Sequence, residues 1–151
     1  MKINITKKEY EKLIELIDIG MWVITSHDLR DKPENAPYNE LEEKIFSLAK
    51  EFECEDKIIY DKNLDRHFQT QDFEMESAHR KFIDDYNENN FWEEVIERLA
   101  QRDSVNEVGE ENYFSMEFLE RMSIFGKHEE YWANEFGSFG LERLMVQSLS
   151  S

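Results

Sequence analysis

Apolar side chains recur along this chain at the three- and four-residue spacing of helices, and polar runs separate the periodic segments. Thr6 followed by Glu9 predicts a capping box, in which hydroxyl and carboxylate each satisfy a backbone N–H at a helix start. That helix is expected to run to about Thr25. Tyr10, Leu13, Ile14, Ile17, Met21 and Ile24 share its apolar face, and Leu16, Ile19 and Val23 widen the arc, which predicts a helix enclosed on most sides. The remaining stripe holds Glu11, Glu15, Asp18, Trp22 and Thr25, where Asp18 is expected to be solvated.

The stretch 27–39, with two prolines, predicts a loop. A second helix is expected to start near Pro37 or at Asn39, with Leu41, Ile45, Leu48, Ala49 and Phe52 on one face. The pattern weakens from Cys54 to Gln71; Lys57–Tyr60 has strand character but no evident partner, so the expectation is an irregular connector. A third helix is predicted from Asp72, with Met75, Ala78, Phe82, Ile83 and Tyr86 inward, and a break over residues 87–90. Asn90 and Glu93 then cap a fourth helix. Its apolar stripe is Phe91, Trp92, Val95, Ile96, Leu99 and Ala100, and Glu93, Glu94, Glu97, Arg98, Gln101 and Arg102 form the other side. A loop over 103–112 leads to a fifth helix with Phe114, Phe118, Leu119, Met122 and Phe125 on its face, kinked at Gly126, and a short last helix holds Leu141, Leu144 and Met145. The fold class expected is all-α, a single-domain bundle of five to six helices spanning residues 1–151.

Charge changes the picture of function more than of fold. The chain carries 35 acidic against 18 basic residues, a formal charge of −17. Duplex binding relies on Lys and Arg neutralising phosphates, and anionic membranes attract the same residues, so direct nucleic-acid binding and membrane docking are both disfavoured. A basic protein partner fits better. The excess is concentrated between Asp84 and Glu120, where the only cationic side chains are Arg98 and Arg102. Cys54 stands alone, which excludes an intrachain disulfide. No apolar stretch has signal-peptide or membrane-spanning character, so a cytoplasmic location is expected.

Few residues suggest chemistry. Glu76 and His79 have the spacing of the Glu-x-x-His metal motif of di-iron bundles, but those sites use a second such motif and the chain holds none. A core or half-buried role for His79 is the simpler expectation. Residues 85–90 carry oxygen side chains at alternate positions, as calcium loops do, but Ile96 occupies the place of the bidentate Glu. His27-Asp28 resembles the metal-binding pair of helical phosphohydrolases without the preceding His. Phe91-Trp92-Glu93-Glu94 and Glu129-Glu130-Tyr131-Trp132 combine rings with acids, the composition of a partner-binding surface.

Two segments, Tyr38–Leu41 through Ile45–Lys50 and Asn90–Asp103, resemble a group of small uncharacterised bacterial helical proteins. The resemblance implies a helical fold and attaches no activity or site residue. The leading expectation is therefore a non-enzymatic interaction or accessory module without a cofactor, with Glu93, Glu94 and Glu97 on its interaction surface and self-association through a helix face as a further expectation. The alternatives are a metal-dependent helical enzyme using Glu76 and His79, and an acidic DNA mimic.

Overall fold

The computed structural model describes residues 3–25 and 32–145. His27 and Asp28 lie outside the described residues. Six α-helices and one two-stranded sheet follow in the order α1 (Lys7–Thr25), a 3-10 turn (Pro33–Asn35), α2 (Ala36–Phe46), β1 (Ile58–Asp61), β2 (Arg66–Gln69), α3 (Gln71–Glu76), α4 (Arg80–Val108), α5 (Glu110–Ser115) and α6 (Phe118–Phe139). The chain is mostly helical. No helix among the described residues is long and apolar enough to cross a membrane. The chain groups into two compact units, Met1–Asp85 and Tyr86–Ser151.

The first unit begins where the capping box places it. The Thr6 backbone N–H donates to the Glu9 carboxylate at 2.7 Å, and the Glu9 N–H donates to Thr6 Oγ1 at 3.3 Å. The Thr6 backbone N–H, and the Thr6 hydroxyl donating to the same carboxylate at 2.8 Å, hold the Glu9 carboxyl below its usual range, because the anion is the form that accepts them. Behind the cap, Tyr10 and Ile14 enter a core with Phe46, Ala49, Cys54, Ile58 and Phe73. Tyr10 stacks on Phe52 at 4.3 Å between centroids and donates its hydroxyl to the Ile45 carbonyl at 2.8 Å. Burial pushes its phenol up to about 12. Cys54 is likewise buried, and burial raises its thiol, which makes it an inert packing residue.

Several expectations for this unit are corrected. Leu16 and Val23 are exposed, so α1 buries one face and not most of its circumference. Leu41 is exposed as well, and of the two starts expected for the second helix the one near Pro37 holds: α2 begins at Ala36, and Asn39 lies inside it and caps nothing. Lys57–Tyr60 does not lie in an irregular connector. Ile58 pairs with Gln69 and Asp61 with Arg66 in an antiparallel hairpin. Its turn is closed by Asp61, whose carboxylate accepts the Asn63 N–H at 2.7 Å, and by Asp65 at φ 51°, a left-handed residue that Asp tolerates better than most. Thr70, and not Asp72, caps α3 by accepting the Phe73 N–H.

In the second unit the expected break over 87–90 is absent. Arg80–Val108 is one 29-residue helix, so Asn90 caps nothing and the alternating oxygens of 85–90 sit on a helix and not in a calcium loop. Gly109, at φ 85°, ends α4 and admits the short α5. Helix α6 passes through Gly126 and Gly137 uninterrupted and stops at Gly140, whose φ of 54° with ψ of −134° suits glycine. Residues 141–145 form turn and irregular chain in place of a last helix.

The rings of this unit pack on one another. Trp132 stacks on Phe136 at 5.4 Å, Trp92 meets Phe136 at 5.4 Å, and the Trp132 indole N–H donates to Asp103 at 2.8 Å. Glu107 adds a second tie between α4 and α6, accepting from Lys127 at 2.9 Å and contacting His128 Nε2 at 2.8 Å. The face of α6 that these contacts select runs through Ile124, Phe125, His128, Trp132 and Phe136, all half-buried or buried. Phe114 of α5 and Phe118, Leu119 and Met122 of the first turns of α6, expected inward, are exposed; Phe118 is 62% exposed and Leu119 80%.

Candidate functional sites

Each unit brings ionisable side chains together around a concave surface. In the first, Asp18 is 7% exposed, which corrects the expectation of a solvated stripe residue. Its position on α1 faces three donors supplied by later segments. Gln69 of β2 donates to Oδ1 at 2.9 Å, His79 Nε2 lies 2.7 Å from Oδ2, and the Arg80 guanidinium is 3.6 Å from the same oxygen. A carboxylate only accepts, so the His79 tautomer that makes this bond carries its proton on Nε2. His79 Nδ1 is buried without a hydrogen-bond partner, and the ring packs against Phe73 at 5.0 Å. An imidazole so enclosed reaches no substrate in this arrangement; it anchors the carboxylate.

Glu76 and His79 do not share a helix face. Helix α3 ends at Glu76, His79 occupies the turn before α4, and the bonding nitrogen of His79 faces Asp18. Glu76 is exposed beside Asp56, Lys57 and Asp72. The spacing argument assumed one continuous helix from Asp72 onward, and that helix is interrupted. Among the described residues no three His, Cys, Asp or Glu side chains gather in a group able to hold a metal ion.

Beside Asp18 opens a pocket of about 370 Å³, lined in part by Trp22, Asn39, Glu42, Arg66, Glu74 and Arg80. Burial raises the Glu42 carboxyl; the Arg66 guanidinium, which donates to it at 2.9 Å, opposes the shift without cancelling it. Neighbouring Glu43 shows the reverse balance. Burial acts to raise its carboxyl too, but the hydrogen bonds from the His67 ring and His67 backbone outweigh it, leaving the group below its usual range.

In the second unit Glu93, Ile96 and Glu97 of α4 face Gly126, Glu129, Glu130 and Ala133 of α6 across a groove of about 570 Å³. The positions follow helical geometry. Residues 93, 96 and 97 share one face of α4, and 126, 129, 130 and 133 recur at three- and four-residue steps on α6. The groove thus has four carboxylates on its walls, Ile96, Gly126 and Ala133 between them, and no Lys or Arg among the described residues of its lining. Of the acids expected at an interaction surface, Glu93 and Glu97 line the groove, whereas Glu94 pairs with Arg98 at 2.7 Å. Glu129 and Glu130 complete it. The signal for them was the repeated combination of acids and rings; the rings of Trp92 and Trp132 are turned into the unit's packing while the acids stay outside.

No family model, curated protein or solved structure matches this chain.

Proposed function

We propose that the protein is a non-enzymatic interaction module whose α4–α6 groove receives a basic segment of a protein partner. The observation that carries the reading is the convergence of Glu93, Glu97, Glu129 and Glu130 on one groove with no cation among the described lining residues. Like charges four residues apart on a helix, as at Glu93 and Glu97, cost a few tenths of a kcal/mol each, and the second pair faces them across the groove. Such repulsion works against folding and becomes favourable when a cationic ligand fills the space. The apolar floor of Ile96 and Ala133 gives the ligand a second requirement, so the complementary segment is an amphipathic one with Lys or Arg at its edges.

The test compares the natural protein with a variant carrying Gln at positions 93, 97, 129 and 130, using a helical peptide of Lys and Leu as the probe. The natural protein is expected to bind the peptide with an affinity that falls steeply with salt, and the variant to lose roughly tenfold or more in affinity while melting at the same or a higher temperature. Equal binding by both proteins, or binding insensitive to salt, would overturn the proposal.

A further inference from the structure

The pocket beside Asp18 is distinct from the groove and lies wholly in the first unit. Its most telling feature is Arg80. The guanidinium lies over the Trp22 ring at 4.8 Å from the centroid, its side chain is 19% exposed, and its closest carboxylate oxygen is the Asp18 Oδ2 at 3.6 Å. That distance is an ion pair and not a hydrogen bond, so the planar fork is largely desolvated while its N–H groups have no hydrogen-bond acceptor among the described residues. The stack on Trp22 and the charge of Asp18 hold the fork at the pocket wall. Asp18 itself is already satisfied by Gln69 and His79.

Three carboxylates, Asp18, Glu42 and Glu74, and two guanidinium groups, Arg66 and Arg80, line the space. Arg66 is committed to Glu42, whereas Glu74 is exposed and has no ion pair among the described residues. A simple anion would satisfy Arg80 but add to the negative excess; a simple cation would satisfy Glu74 and leave the Arg80 fork without acceptors. A molecule bearing both charges meets both needs. The volume of about 370 Å³ falls in the range of small-ligand sites.

We propose that this pocket binds a small zwitterion of the amino-acid class, with its carboxylate on the Arg80 fork above Trp22 and its ammonium group toward Glu74. The inference does not depend on the groove in the second unit.

The experiment follows the Trp22 indole N–H and Arg80 Nε–H signals by NMR in the full chain. The probes are the common L-amino acids at millimolar concentration, with propionate and butylamine as ligands carrying one charge each. At least one amino acid is expected to shift both signals saturably, and each single-charge ligand to bind roughly tenfold more weakly. Arg80→Lys, which keeps the charge but loses the fork, is expected to weaken binding by about tenfold or more. Glu74→Gln alters an exposed residue and keeps the test valid if the Arg80 variant fails to fold; it too is expected to weaken binding. No shift with any amino acid, shifts matched by propionate or butylamine, or undiminished binding in the folded variants would overturn the proposal. The groove variant with four Gln residues should retain this binding in full, which separates the two proposals.

Discussion

Asp18 and His79 are 61 positions apart in sequence, yet Oδ2 of one lies 2.7 Å from Nε2 of the other. His79 is 2% exposed and Asp18 is nearly as enclosed, so the contact fastens α1 to the turn that precedes α4 inside the first unit. Gln69 brings β2 to the same carboxylate at 2.9 Å. One acid therefore gathers three segments that hydrophobic periodicity alone would leave unrelated.

Removing that acid should cost far more than removing a surface carboxylate. Asp18→Ala leaves the His79 N–H and the Gln69 amide without their acceptor and strips Arg80 of its counter-charge, at a cost of roughly 3 kcal/mol. Asp18→Asn retains an acceptor oxygen and should lose less. Urea unfolding monitored by far-UV circular dichroism measures both; an alanine variant as stable as the natural protein would remove Asp18 from the account.

Acid should weaken the second unit through Asp103. The hydrogen bond from Arg102 at 2.8 Å, with that from Trp132 adding to it, holds the Asp103 carboxyl below its usual range. A group whose folded-state pKa is depressed adds stability that is present above its unfolded value, about 3.9, and is lost as pH falls through the folded value. Asp103→Asn is expected to lose about 1 kcal/mol at neutral pH and to show a shallower decline in acid. Thermal melts of both proteins between neutral and acidic pH give the comparison, and parallel pH profiles would contradict it.

Two glycines should respond in opposite directions to alanine. Gly20 lies within α1, and a Cβ there meets nothing within 4 Å, so Gly20→Ala should stabilise by roughly 0.5–1 kcal/mol through helix propensity. Gly140, at φ 54° and ψ −134°, ends α6 in a conformation that a side chain strains, and Gly140→Ala should destabilise by about 1 kcal/mol or more. Melting temperatures of the two variants, one raised and one lowered, are the expected readout.

Local signals were legible where local energy decides. Thr6 and Glu9 announced α1 because both halves of the capping box lie within one turn, and the Phe91–Ala100 stripe announced α4 because its rings and aliphatics share one face. Residues 87–90 misled for the opposite reason. They are exposed on every side, so polar residues there neither bury a cost nor break the helix, and no competing turn is built. The hairpin was hidden because β2, Arg66-His67-Phe68-Gln69, is polar and has no alternation, and because its turn uses Asp61 and Asp65 instead of glycine. Asp18 was unreadable as a buried acid because each partner comes from a distant segment. The acids of both walls, Glu93 and Glu97 and Glu129 and Glu130, stood out in the sequence; that they face one groove depended on the pairing of α6 with α4, which Trp132 and Glu107 support.

The groove itself admits the most direct test. Amide shifts of the full chain, recorded as a helical Lys and Leu peptide is titrated in at low salt, should move most at Glu93, Ile96, Glu97, Gly126, Glu129 and Ala133, and the perturbation should fade as salt is raised. Shifts that centre elsewhere on the chain, or that persist unchanged at high salt, would contradict the assignment of this groove to a basic partner.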